Sequence, residues 1–371
     1  MKVAIDKRPL ISGHMVRGIG VHTRELLRAL GLKTKKLKDL KIEAVDFGKV
    51  NLEGYDLVHF PYFHPFFLTI PAKVPTKFIV TIHDLIPLLY PKHHPPGIKG
   101  RLRYRMQKRR VKNADGIITI SETSKKDIVR FLGVSPQKIY VTYLAPREIF
   151  KKIYDKNRLS EVRKKYKLPS KFVLYVGDVN YNKNVLGLVK ACRIAKLPLV
   201  ICGKQANEIA NSTSDIFSLE GPRDWIRYLF GQPHPEHAHY QKLLSEFKKG
   251  AKILRLGYVS DIDLVAVYNL ANVYCQPSFY EGFGLPVLEA FACGTPVVIA
   301  KTQALVEIAE GAALLANPED VNDIADKITE VINNNGLREK MIKAGAKKVE
   351  KYSWSKTAQK TLSAYSEILS K

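Results

Sequence analysis

The chain has 371 residues, enough for more than one hydrophobic core, so two domains are expected. With 46% hydrophobic and 26% charged residues it has the composition of an ordinary globular protein, and no apolar run approaches the ~20 residues that span a bilayer. The formal charge of +25 is uneven: residues 1–150 hold 28 of the 60 Lys and Arg but only 12 of the 35 Asp and Glu, which points to an anionic partner on that side.

Short aliphatic runs alternate with helical patterns throughout, as in parallel α/β proteins. Met1–Asp6 reads as a strand rather than a signal peptide, so a cytoplasmic location is expected. Strands are expected at Lys2–Asp6, Leu57–Phe60, Lys77–Ile82, Gly116–Ile120 and Ile139–Thr142. Helices are expected at Val21–Leu30, Ile98–Asn113 and Glu122–Leu132. The pattern breaks at Ala145-Pro146-Arg147, placing a linker between there and about residue 156. The scheme then repeats, with strands at Phe172–Val176, Pro198–Ile201, Ile253–Leu256, Val273–Gln276 and Pro296–Ile299. Helices follow at Val185–Ala195, Asp261–Leu270, Val287–Cys293, Asp320–Asn333 and Gly336–Tyr352, while residues 206–250 read as an irregular excursion. Cys192, Cys202, Cys275 and Cys293 have apolar neighbours and no metal or redox spacing, as buried thiols do.

Residues 281–296, Glu-Gly-Phe-Gly-Leu-Pro-Val-Leu-Glu-Ala-Phe-Ala-Cys-Gly-Thr-Pro, are the most informative stretch. Gly282 and Gly284 let the backbone approach a ligand, Pro286 suits the first helical position, and Gly294 supplies a left-handed stop. The amides of Phe283, Gly284 and Leu285 then face an anion at a helix N-terminus. Glu281 and Glu289 are poor phosphate ligands but good hydroxyl acceptors. Phosphate flanked by hydroxyls describes a nucleoside diphosphate sugar.

Other segments add chemistry. In Arg17-Gly18-Ile-Gly20-Val-His22-Thr23, Gly18 and Gly20 form a second anion nest, and Thr23 occupies the place where a dinucleotide fingerprint needs glycine. His83 and Asp84 follow an apolar strand, at the end where open α/β sheets bind ligands. Asp261-Ile-Asp263 has the spacing of a metal-binding Asp-x-Asp, but Ser260 ahead of Asp263 reads better as a helix cap. The run His234-Pro-Glu-His237-Ala-His239 offers metal ligands, yet Pro235 disturbs helical spacing and a surface loop is expected. Residues 99–112 carry eight cations and no acid, and as a helix Ile98, Leu102, Met106 and Val111 make a thin apolar seam. That stretch suits a solvated face, an anionic membrane or a lipid-linked phosphate; nucleic acid is disfavoured because no binding module organises the charge.

Tyr280-Glu-Gly-Phe-Gly-Leu-Pro-x-x-Glu-Ala-x-Ala-Cys-Gly-Thr-Pro-Val297 closely resembles the signature of the retaining family 4 glycosyltransferases, and the likeness runs from Asp6 to the C-terminal helix. It implies the GT-B fold, two Rossmann-like domains facing across a cleft: 1–150 on the acceptor side, 156–351 for the nucleotide sugar, and 352–371 as a helix packing back on the first domain. In such enzymes the Gly18–Gly20 loop faces the donor diphosphate and His83 contacts the sugar near its 6-hydroxyl. Asp84 orients the acceptor or stabilises its own turn. Lys183, in Tyr175-Val-Gly177-Asp-Val-Asn-Tyr-Asn182-Lys183, matches the lysine that stabilises the departing diphosphate, while Asn182 and Asp178 stand where many relatives carry arginine. Glu289 is expected on the ribose, Glu281 on the sugar, and the Tyr258-Val259 backbone beside the base.

The implied reaction is transfer of a hexose to a hydroxyl of a glycan or lipid-linked saccharide, with no cofactor and no catalytic metal. Thr81-Ile-His-Asp-Leu-Ile-Pro87 with Tyr280–Pro286 most resembles mannosyltransferases using GDP-mannose. A UDP-glucose or other UDP-hexose enzyme is the close competitor, and a nucleotide-sugar-binding protein without transfer is the reading from another class. The basic stretch adds an expected peripheral position on the inner face of a membrane.

Overall fold

The computed structural model describes residues 1–11, 18–34, 40–209, 235–250 and 252–371; Arg17 and His234 lie outside them. By internal contacts the chain forms two compact units: Met1–Pro91 with Pro95–Ala145 and Tyr352–Lys371, and Lys92–His94 with Pro146–Lys351.

The first unit holds β1 (Lys2–Asp6), β2 (Lys41–Val45), β3 (Leu57–Phe60), β4 (Lys77–Ile82), β5 (Gly116–Thr119) and β6 (Ile139–Val141). They form one parallel sheet in the order β2-β1-β3-β4-β5-β6. β3 and β5 are buried along their whole length, as strands with both faces covered must be. Val58, Val80, Ile82 and Ile117 pack with Phe60, Phe78, Val111 and Leu132 in this unit's core. The C-terminal helix Trp354–Ser370 belongs to the same unit, against the helix Gly18–Thr34 and strands β5 and β6. Ser353 caps it by accepting from the Lys356 amide at 3.2 Å. Three polar bonds then fix its register: Thr357 Oγ1 to Tyr143 O (2.6 Å), His59 Nδ1 with Tyr365 OH (2.6 Å), and Lys77 Nζ to Ile368 O (3.0 Å). Gly116 permits the approach, because a Cβ there would meet Ile368 Cδ1 at 2.5 Å.

The second unit holds β7 (Val173–Val176), β8 (Leu199–Cys202), β9 (Ile253–Gly257), β10 (Val273–Gln276), β11 (Val297–Ala300) and β12 (Leu314–Ala316). Their parallel order is β12-β11-β10-β7-β8-β9, the Rossmann order with its switch point between β7 and β10. Val173, Leu188, Ile201, Cys275, Val298 and Ile328 are among the fully enclosed side chains of its core. Each such aliphatic contributes about 1.5–3 kcal/mol relative to exposure. The four cysteines are buried thiols, and burial alone pushes Cys202 up to about 12.

Several expectations need correction. β2 and β12 are strands beyond those expected, and each lies at a sheet edge with only partial burial. A helix not expected from the sequence, Lys156–Lys165, follows the linker, capped by Asp155, which accepts from Asn157 and Arg158 amides. Glu122–Leu132 divides into an α-turn, Glu122–Asp127, and a π-helical turn, Ile128–Leu132, stopped by Gly133 at φ 67°. Within 206–250 the described residues are partly regular, with helices Gln205–Glu208 and Pro235–Phe247. Among the described residues no helix is long and apolar enough to cross a membrane.

Candidate functional site

The switch point of the second sheet brings together two loops, one after β7 and one after β10, where ligands of open α/β sheets bind. The first loop closes with a 3-10 turn, Tyr181–Lys183. Asn184 ends it in the left-handed region (φ 52°) and caps the helix Val185–Ile194 through the Gly187 amide. Its amide group also donates to Pro277 O at 3.1 Å and Pro318 O at 2.7 Å. Asn182 O accepts from Phe279 N at 2.8 Å, and its side chain donates to Tyr280 O at 3.2 Å. So Asn182 staples the two loops.

That stapling sets Lys183 against Glu281, Nζ to Oε2 at 2.6 Å. The other oxygen of Glu281 accepts from Ser278 Oγ at 2.7 Å and from Gln276 Nε2 at 2.5 Å. Gln276 accepts in turn from Tyr274 OH. The buried Glu281 carboxylate is thus held by one cation and two neutral donors, as burial of a charge requires. Gly284 follows at φ 108°, and a Cβ there would meet Leu305 Cδ2 at 2.6 Å, so glycine is needed for both conformation and packing. The helix then runs Leu285–Ala292, two residues earlier than expected, with Pro286 second rather than first and Gly294 at φ 71° beyond its end. In its first turn Val287 N bonds to Gly284 O at 3.0 Å and Pro286 has no N–H, so it is the Gly284–Leu285 end of this terminus that is suited to an anion. The Phe283 side chain is buried.

Glu289 sits one turn into that helix, buried, with Oε2 accepting from Tyr268 OH at 3.0 Å. Burial pushes its carboxyl up to about 7, against the opposing pull of Arg147 and the Tyr268 hydrogen bond. Tyr268 packs on Tyr274 with ring centroids 5.7 Å apart, so a continuous buried line runs Glu289–Tyr268–Tyr274–Gln276–Glu281. Arg147 forks onto Asp261 at 2.5 and 2.8 Å. Asp263 is bound by Arg158, by Lys165 at 2.6 Å and by Tyr166 at 2.8 Å; those bonds hold its carboxyl down to about 2 although burial opposes them. Ser260 caps the helix Asp261–Leu270 through the Asp263 amide. Ahead of it Tyr258 is 65% exposed and Val259 is buried.

In the first unit Gly18 and Gly20 lie in the opening turn of the helix Gly18–Thr34, where a Cβ on Gly18 would meet nothing within 4 Å. His83 directly follows β4; its carbonyl accepts from Ser124 Oγ at 2.8 Å, and its Nε2 lies 2.7 Å from His22 Nδ1. Asp84 Oδ1 accepts from the Ile86 amide at 3.2 Å, bracing its own turn.

The basic helix Gly97–Lys112 reverses the expected seam. Gly100, Gln107 and Val111 face inward, whereas Ile98 (76%) and Leu102 (60%) are exposed together with Met106. It is anchored by Gln107 to Thr69 Oγ1 and Arg110 to Ile70 O, both 2.6 Å, and by Tyr104 OH to Phe131 O at 2.8 Å. The outward face carries Arg101, Arg105, Arg109 and Lys112 beside those apolar side chains. The expected surface loop at His237–His239 is instead the start of a helix, with Pro235 at its first position, where no amide is needed. His239 is buried there, bonded through Nε2 to Val179 O at 3.0 Å.

Reading the sequence alone misses His22, Gln276, Ser278, Tyr268 and Arg147 as site neighbours. Gln276-x-Ser278-x-x-Glu281 carries a faint signal, polar residues ending an apolar strand; the partners of His22, Tyr268 and Arg147 lie 61, 21 and 114 positions away.

Comparison with solved structures returns the same architecture. Sucrose-phosphate synthase from Thermosynechococcus elongatus superposes with a TM-score of 0.69 at 20% identity, covering 100% of this chain and 99% of that one. The fold is GT-B. The profile described as Glycosyl transferases group 1 matches residues 160–348, and that of Glycosyltransferase Family 4 matches 46–145. The O-antigen chain mannosyltransferase B of Escherichia coli is 30% identical over 299 residues, 77% of this chain and 69% of that protein. The serotype-specific mannosyltransferase WbdA of Escherichia coli is 25% identical over 81% of this chain, which spans only 35% of WbdA. The chain belongs to the group 1 glycosyltransferases, with a family 4 N-terminal half.

Proposed function

We propose that this glycosyltransferase moves mannose from GDP-mannose to a hydroxyl of a glycan or lipid-linked saccharide, with retention of anomeric configuration. The observation that carries the reading is the Lys183–Glu281 pair beside the helix terminus Gly284–Leu285 at the switch point. The mannosyltransferase relatives support the choice of sugar. A glycosyl transition state builds negative charge on the leaving diphosphate, so a preorganised cation and helix-terminus amides lower its energy more than that of the bound donor. In this reading the diphosphate takes Lys183 as its counter-ion and the amides of Phe283, Gly284 and Leu285 as donors, and the first turn at Gly18 and Gly20 is an anion-binding turn of the first unit. Glu281 keeps Ser278 and Gln276 and turns its freed oxygen to sugar hydroxyls. Glu289 takes the ribose hydroxyls, the Tyr258-Val259 backbone borders the base, and His83 meets the sugar, with Asp84 on the acceptor side.

The reaction runs without a divalent metal or cofactor, a reading supported by the ties of Asp261 to Arg147 and of Asp263 to Arg158 and Lys165. The outward face of Gly97–Lys112 docks on anionic lipid at the inner side of a membrane, its cations attracting headgroups and Ile98, Leu102 and Met106 entering the interface. The test is a panel of sugar nucleotides offered with alkyl glycoside acceptors. GDP-mannose is the expected substrate; selective turnover of UDP-glucose or another UDP-hexose replaces the donor assignment. Binding with no turnover on any acceptor reduces the protein to a nucleotide-sugar binder.

A further inference from the structure

Tyr274 and Gln276 share one face of β10, opposite Val273 and Cys275, which belong to the core of the second unit. Tyr274 is fully buried and Gln276 is 2% exposed, and an amide placed there costs free energy unless its polar atoms are bonded. Each is bonded here. Tyr274 OH donates to Gln276 Oε1, and Gln276 Nε2 donates to Glu281 Oε1 at 2.5 Å and reaches Ser278 Oγ at 3.5 Å. The buried Ser278 hydroxyl gives its own proton to the same Glu281 oxygen at 2.7 Å.

The direction of this chain is forced. The Glu281 carboxylate, paired through Oε2 with Lys183 Nζ at 2.6 Å, only accepts, so the end of Gln276 that faces it must be the NH2 group. Turned over, the amide would set its oxygen against a carboxylate oxygen with no proton between them. The oxygen of Gln276 therefore faces Tyr274, whose hydroxyl must donate. Burial, with Tyr175 and Glu281 nearby, raises the Tyr274 phenol well above its ordinary range, so that proton is kept. Tyr274 thus locks the amide, and the amide with Ser278 locks Oε1 of Glu281.

We propose that Gln276, locked by Tyr274, is a positioning residue that pins Oε1 of Glu281, so that Oε2 exchanges Lys183 for a sugar hydroxyl without the carboxylate turning. The proposal rests on the reading that Glu281 meets the donor sugar; the buried chain behind it does not. Two anchored donors on one oxygen leave the other aimed in a fixed direction, and a fixed acceptor discriminates among hydroxyls by position. Gln276 and Tyr274 thereby set sugar selectivity from behind the site.

Calorimetry on the full chain tests this by comparing the sugar nucleotide that wild type prefers with its nucleoside diphosphate alone. Gln276→Met keeps length and volume but offers no proton. Its affinity for the sugar nucleotide should fall about tenfold, as on loss of one hydrogen bond to a charged group, while affinity for the nucleoside diphosphate stays as in wild type. Equal losses for both ligands mark a merely disturbed fold and overturn the proposal, as does no loss for either. Gln276→Met strands the Tyr274 hydroxyl, and Gln276→Met/Tyr274→Phe removes that orphan. In the double variant Tm should recover while the sugar preference stays lost; a preference that returns with Tm contradicts the proposal. The ligand-free chain is judged separately by the ¹H–¹⁵N signals of the Gln276 side-chain amide, assigned by their loss in Gln276→Met. Its protons should exchange slowly with solvent, one of them shifted downfield by the carboxylate, and Glu281→Gln should move that proton upfield. Rapid exchange, or no response to Glu281→Gln, overturns the pinning. If wild type binds no sugar nucleotide, these spectra still decide on the chain, so failure of the sugar reading remains distinct.

Discussion

Lys183→Ala separates charge stabilisation of the leaving group from simple support of the fold. Lys183 Nζ lies 2.6 Å from Glu281 Oε2, and its removal leaves a buried carboxylate with only Ser278 and Gln276 as partners. Deleting one member of a buried pair costs about 3–5 kcal/mol, and partial exposure of the lysine places this case near 3. For a unit of this size that corresponds to a fall in Tm of about 6–12 °C. Turnover should fall separately, by about 10²–10³-fold in kcat, as on removal of one preorganised donor, with donor KM less affected. The two losses divide in the double variant Lys183→Ala/Glu281→Gln, which no longer buries an unpaired charge. Its Tm should return most of the way to wild type while kcat stays low. Thermal melts and initial rates with saturating donor measure both. A near-normal kcat in Lys183→Ala, or turnover restored along with Tm in the double variant, refutes the role of Lys183 at the diphosphate.

Glu289, with a carboxyl near 7 raised from 4.5, contributes most to stability below about pH 4.5 and loses that contribution as pH rises through 7; Glu289→Gln should therefore gain Tm relative to wild type between pH 5 and 8. Ribose hydroxyls need the ionised form, so donor affinity should rise about tenfold from pH 6 to 8 in wild type and stay flat in Glu289→Gln, with an equally steep rise in the variant counting against the ribose assignment. Glu289→Ala should also lose part of the preference for ribose over 2′-deoxyribose donors. Turnover should survive EDTA; abolition with rescue by magnesium or manganese contradicts metal independence. Replacing Arg101, Arg105, Arg109 and Lys112 with Gln should weaken binding to phosphatidylserine vesicles by orders of magnitude at low salt, since each cation contributes up to about 1 kcal/mol, and should leave donor hydrolysis in solution unchanged. Wild-type protein that ignores such vesicles leaves those residues only a solvated role.

The strands whose apolar runs are buried on both sides, such as Leu57–Phe60 and Val273–Gln276, are legible from sequence because nothing else needs four enclosed residues in a row. Lys41–Val45 and Leu314–Ala316 are not, because edge strands are held by ladder bonds that leave no periodic trace. The loop at 281–294 is legible because glycine is demanded at Gly284 by a positive φ and by the side chains of Leu305 and Ile308, a constraint that writes itself into the residue type. The partners of Glu281 and Glu289 are not, since Lys183 lies 98 residues from Glu281 and Tyr268 lies 21 residues before Glu289. The basic helix misled for a physical reason: of its inward residues only Val111 is a large apolar one, while Gly100 is there for close approach and Gln107 for its bond to Thr69.

The central claim is transfer of a hexose from a nucleoside diphosphate sugar with its configuration kept. Proton NMR of the first product formed from GDP-mannose and an alkyl glycoside acceptor tests it most directly. The anomeric signal should match the configuration of the donor; a product of opposite configuration, or no transfer from any sugar nucleotide on the panel, contradicts the claim.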